Sequence, residues 1–80
     1  MTPETIEQLI TEHMPEARVS VAGDDGTHFQ AAVISPAFEG KPMLARHRMV
    51  YEALGARMGG EIHALSLRTL TPAERDAQSA

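Results

Sequence analysis

The sequence predicts an α+β domain of order helix–strand–strand–helix–strand–helix, with a three-stranded mixed sheet and helices packed on one face. Three observations carry this. Apolar residues recur at helical spacing in two segments and alternate in three short ones. Proline, glycine and aspartate fall between those segments, where turns and stops belong. A long helical segment separates the second and third alternating runs, and a crossover of that kind makes the strands it joins parallel.

"TPETIEQLITEHM" starts with Thr2 as N-cap and Pro3 at the first helical position. Glu4 sits in the first turn, near the positive end of the helix dipole. Ile6, Leu9, Ile10 and Met14 make one apolar stripe, His13 sits near the negative end of the dipole, and Pro15 stops the helix. Residues 17–35 read as a hairpin: "ARVSVAG" alternates Val19 and Val21 against Arg18, Ser20 and Ala22, "GDDG" turns, and "THFQAAVIS" returns. Pro36 ends it, and "AFEGKP" is a connection.

From Pro42, "PMLARHRMVYEALGARM" is the longest helical segment. Its predicted stripe is Leu44, His47, Tyr51, Leu54 and Met58, with Met43 and Val50 beside it. Gly55 lies inside the pattern, and Gly59 and Gly60 provide the stop. The third strand is 61–69, "EIHALSLRT", which places His63, Leu65 and Leu67 on one face. Thr71 and Glu74 of "TPAE" form a capping box that opens a short final helix, with a frayed tail over 76–80.

Eighty residues make one small domain, 1–80, since a second core would leave neither half enough apolar surface. With only Phe29, Phe38 and Tyr51 aromatic, the core is aliphatic, and the methionines are filler. There is no cysteine, which removes disulfides, thiolate zinc sites and a self-sufficient iron–sulfur site. No run approaches the roughly 20 apolar residues of a membrane span. The first residues carry acids where a signal peptide carries bases, so the expected location is cytoplasmic.

The net charge of −4 is uneven: residues 1–40 hold one base and seven acids, residues 41–80 six bases and four acids. The basic centre is "KPMLARHR". Overall acidity argues against tight nonspecific nucleic-acid binding, which rests on phosphate neutralisation, but leaves room for a local basic face.

"FEGKPMLARHRMVYEAL" followed by "IHALSLRTLTPAE" resembles the BolA family. In that family an F-x-G stretch leads into an R-H-R helix, a strand with a V/I-H-A-L word follows, and a T-P-x-E/Q-type helix closes the domain. "GDDGTHFQ" resembles the family's hairpin. The resemblance covers residues 4 to 75 and lies nearest the YrbA-like (IbaG-like) bacterial branch. It implies a fold related to the class II KH domain. It also implies a role as partner of a monothiol glutaredoxin of the CGFS type. The pair holds a bridging 2Fe–2S cluster, with the glutaredoxin cysteine and a glutathione thiol on one side. The strand histidine and a hairpin-loop residue lie on the other.

Carried over by position, the strand histidine is His63. The loop ligand in other branches is a cysteine or histidine a few residues before an aromatic. Here the aromatic is Phe29, no cysteine is present, and His28 lies later than the usual position. The second ligand is therefore His28, an aspartate of the pair Asp24–Asp25, or water, the aspartates doubling as turn formers. Imidazole in place of thiolate raises the potential of a cluster and makes it sensitive to protonation, which suits a carrier or sensor.

Each residue also has a plainer reading. His63 by spacing alone is a strand-end histidine bonded to backbone, and His28 packs beside Phe29 or bonds to the turn. Lys41, Arg46 and Arg48 are solvated bases around a partly buried His47, or else these four form a positive surface for a protein partner, glutathione carboxylates or DNA. The alternative function is a KH-like transcriptional regulator, although "GDDG" lies between strands rather than between helices, and its aspartates repel phosphate. No catalytic set can be assembled, so no enzyme is expected. The isolated chain is expected to carry no cofactor and to be a monomer or a weak homodimer.

Overall fold

The structure, a computed structural model, describes residues 1–23 and 25–79, apart from the Ser79 side chain. The elements are α1 (Pro3–His13), β1 (Arg18–Ala22), β2 (His28–Ile34), α2 (Met43–Leu54), β3 (Ala64–Leu70) and α3 (Pro72–Ser79). Short 3-10 turns occupy Pro36–Phe38 and Gly55–Arg57. The sheet order is β1-β2-β3, antiparallel between β1 and β2 and parallel between β2 and β3. This is the predicted α+β architecture.

α1 begins as expected, with Thr2 Oγ1 accepting the Thr5 amide at 3.2 Å. Ile6 and Ile10 are fully buried, and the Met14 amide closes the helix on the Ile10 carbonyl at 2.8 Å before Pro15. On the sheet, Val19, Val21, Phe29, Ala31, Val33, Leu65, Leu67 and Thr69 face α1 and α2. Ser20, Ala22, Gln30, Ala32, Ser66 and Arg68 alternate onto the other, open face. α3 sits at the end of β3, its capping box closed in both directions: Glu74 N–H donates to Thr71 Oγ1 at 3.1 Å and Thr71 N–H to Glu74 Oε1 at 2.8 Å.

Three expectations are corrected. The α2 stripe is rotated: Leu44 is 70% and Tyr51 39% exposed, while Val50 and Leu54 are fully buried. Apolar residues flank both sides of this helix, so periodicity alone does not choose the inward side. The helix also ends earlier, at Leu54, because Gly55 adopts φ +56°, which breaks the α-helical ladder.

The third strand starts at Ala64 rather than Glu61. Ahead of it the chain makes a tight turn, with Ile62 N–H donating to the Arg57 carbonyl and Gly59 N–H to the Ile62 carbonyl, each at 2.9 Å. Ile62 is thereby fully buried, and His63 sits exposed beyond the inward row of Leu65 and Leu67.

The connection after Pro36 also holds a core residue. Ser35 Oγ accepts the Ala37 amide at 3.1 Å, and the 3-10 turn delivers Phe38 fully buried. A lone aromatic between proline and glycine has no periodicity to reveal it.

Candidate functional site

The β1–β2 loop is built around two residues. A Cβ on Gly23 would lie 2.7 Å from both the His28 carbonyl oxygen and Phe29 Cδ1, so only glycine lets the loop fold against Phe29. Asp25 Oδ1 then accepts the backbone N–H of His28 at 2.8 Å and of Thr27 at 3.0 Å, an Asx-type turn that delivers the chain into β2. These bonds, with the His28 side chain adding to them, hold the Asp25 carboxyl well below the usual carboxylate range. Asp24 lies outside the described residues.

Phe29 is buried on the core side, so alternation puts His28 on the open side. Its side chain is 61% exposed, and Nδ1 lies 2.7 Å from Asp25 Oδ2. In the parallel register His28 stands opposite Ala64, which brings His63 alongside the same strand end. The Thr27 carbonyl accepts the N–H groups of both His63 and Ala64 at 3.2 Å and so fixes that backbone. The two imidazole centroids are 5.7 Å apart, edge to face at 88°. The exposed His63 ring makes no hydrogen bond among the described residues.

The pair is chemically incomplete. No group of three or more histidine, cysteine, aspartate or glutamate side chains among the described residues could hold a metal ion. Neutral imidazole suits iron, and among the described residues the pair has no further ligands gathered into a complete site.

The basic helix is less open than its sequence implies. Arg46 turns inward, its side chain only 11% exposed. Its Nε donates to the Lys41 carbonyl at 2.8 Å, Nη1 to Glu74 Oε1 at 2.6 Å and to the Thr69 carbonyl at 3.3 Å, and Nη2 to Glu74 Oε2 at 3.3 Å. The guanidinium also lies 5.9 Å from the centroid of the Phe38 ring. This fork from Arg46, with the Thr71 amide, lowers the Glu74 pKa to about 2. His47 is half-buried, with Nε2 buried and lacking a partner among the described residues, and its ring meets Tyr51 edge to face at 6.4 Å. Lys41 and Arg48 stay exposed, beside exposed Met43, Leu44 and Tyr51.

Sequence reasoning named both histidines and a bond from His28 to the turn, but it did not single out Asp25 as that partner or the open sheet face beside it. A shallow concavity lined by Ala22, Gly23, Gln30, Ala64 and Ser66 adjoins His28 on that face. The alternation of all three strands was the signal for it.

Fold and site together define an αββαβα domain with an exposed histidine pair at the hairpin end of its sheet. The chain belongs to the BolA family: residues 3–74 match the family described as BolA-like protein. It is similar to the structure of a BolA homologue from Coxiella burnetii, at 51% identity and TM-score 0.85, covering 95% of this chain and 97% of that one. The BolA domain of SufE1 from Arabidopsis thaliana matches at 32% identity and TM-score 0.76, over 90% of this chain and 93% of that one. BolA-like protein 1 of Mus musculus is 39% identical over 74 residues, 86% of this chain and 54% of that protein. The chain thus spans about half the length of that relative. No helix among the described residues is long and apolar enough to cross a membrane.

Proposed function

We propose that this chain is an adaptor that partners a monothiol glutaredoxin and co-ligates a bridging 2Fe–2S cluster through His63 and His28. The observation that carries the reading is the histidine pair: two exposed rings 5.7 Å apart, which among the described residues belong to no complete set of three or more metal-binding side chains. Such a site needs a partner's donors, and the glutaredoxin cysteine and a glutathione thiol are donors of the right kind. The cluster is cargo, carried in iron–sulfur trafficking or read as an iron signal. Histidine ligation would make it easier to release and sensitive to protonation. The exposed Lys41, Arg48, Leu44 and Tyr51 offer a mixed basic and apolar surface for the partner. In this reading the protein is cytoplasmic, is not an enzyme, and alone carries no cluster as a monomer or weak homodimer.

The alternative, a KH-like regulator contacting DNA through α2, has less support. Arg46 is engaged by Glu74 and His47 is turned inward, which leaves Lys41 and Arg48 as the exposed cations of that stretch.

Anaerobic reconstitution with a CGFS glutaredoxin, glutathione, iron and sulfide, followed by sizing and visible circular dichroism, tests the proposal. The expected result is a one-to-one complex whose spectrum differs from that of the glutaredoxin homodimer. Absence of any complex, with or without cluster, would overturn it and favour the DNA reading.

A further inference from the structure

We infer that Asp25 is a positioning residue that locks His28 in the Nδ1–H tautomer and so reserves Nε2 as the donor atom for iron. The inference rests on the reading of His28 as a ligand, and it assigns a role to a residue outside the ligand set.

An ionised carboxylate can only accept hydrogen bonds. Asp25 Oδ1 already accepts two backbone amides, from His28 and Thr27, which fixes the carboxylate in the loop. Its second oxygen, Oδ2, then stands 2.7 Å from His28 Nδ1. At that distance from an acceptor, Nδ1 must carry the proton. A neutral imidazole has one N–H, so Nε2 is left with its lone pair. The Thr27 hydroxyl fits the same assignment: it lies 3.4 Å from Asp25 Oδ1, to which it can donate, and 3.1 Å from His28 Nδ1, from which it can accept.

Metal-bound histidines commonly donate their second N–H to a carboxylate, which fixes tautomer and ring orientation. Here that arrangement exists in the free chain. The two histidines are thereby unequal: His28 is held by a carboxylate, whereas the His63 ring has no hydrogen-bond partner among the described residues. One donor is preset, and the other can adjust to an incoming partner.

Asp25→Asn separates this role from turn formation. Asparagine Oδ1 can still accept both backbone amides. Its NH2 group would then face Nδ1 and donate to it, forcing the proton onto Nε2 and closing that nitrogen to metal. The test has two parts. On the full chain with 15N-labelled histidine, above the histidine titration, two-bond 1H–15N correlations read the tautomer of His28, and the backbone spectrum reports whether the hairpin is intact. In the reconstituted glutaredoxin complex, visible circular dichroism and release of iron to a chelator compare wild type, Asp25→Asn and His28→Ala.

The inference expects Nδ1–H in wild type, Nε2–H in Asp25→Asn with the hairpin intact, and a ~10–100-fold faster loss of cluster in both variants. Nε2–H in wild type, or an unchanged tautomer in Asp25→Asn, would overturn the role of Asp25. If Asp25→Asn disturbs the hairpin, the wild-type tautomer alone decides. A cluster that is indifferent to His28→Ala, with the wild-type tautomer as expected, would instead overturn the ligand reading on which the role depends.

Discussion

Arg46 of α2 and Glu74 of α3 meet at 2.6 Å across 28 positions of sequence, and the same guanidinium binds the carbonyls of Lys41 and Thr69. One side chain thus ties together the entry to α2, the end of β3 and the cap of α3. Arg46→Ala removes the donor from two carbonyls at once and should lower stability by about 1–3 kcal/mol, measured by urea unfolding.

Glu74 makes that tie pH-dependent. Its carboxyl falls from an ordinary 4.5 to about 2 in the folded chain. A depressed folded pKa contributes stability above the unfolded value, and the contribution fades as pH falls toward the folded one. Stability should therefore drop between about pH 4.5 and pH 2. Glu74→Gln should be less stable at neutral pH and show a flatter loss over that window. Parallel curves for the two proteins would contradict the assignment.

Phe38 is fully buried within a three-residue turn. Phe38→Ala should cost about 3–5 kcal/mol, enough to unfold a large fraction of a domain this small. Leu44→Ala, on the exposed side of α2, should change stability by no more than about 0.5 kcal/mol. Thermal melts of the two variants would test the rotated helix directly.

Gly23 and Gly60 offer a matched pair. Alanine at 23 would press its Cβ to 2.7 Å from Phe29 and the His28 carbonyl, whereas alanine at 60 meets nothing nearer than 3.4 Å. Gly23→Ala should destabilise by about 1–3 kcal/mol and shift the His28 resonances. Gly60→Ala should stay within about 0.5 kcal/mol of wild type.

The order of elements, the parallel crossover and the capping box were all legible in the sequence, because turn residues and periodicity agreed at each boundary. Three things were not. The inward side of α2 was hidden because Leu44 and Tyr51 are as apolar as Val50, and only the packing partners decide. Arg46 read as surface because its acceptor, Glu74, is remote in sequence. The start of β3 was misplaced because the turn at Gly59–Ile62 buries Ile62 through hydrogen bonds that leave no alternation signal. At the site, the two histidines could be named from the family resemblance. Their mutual approach needed the β2–β3 register, and the Asp25 contact needed the loop's hydrogen bonds.

The central claim is that His63 is a ligand rather than a strand-end histidine. The most direct measurement is reconstitution of the mixed complex with His63→Ala beside wild type, reading iron content and visible circular dichroism at equal loading. His63 is exposed and its ring has no hydrogen-bond partner among the described residues, so the variant should fold as wild type. The account predicts a folded variant that fails to hold the mixed cluster and leaves only the spectrum of the glutaredoxin homodimer. A variant complex with unchanged iron content and spectrum would contradict it.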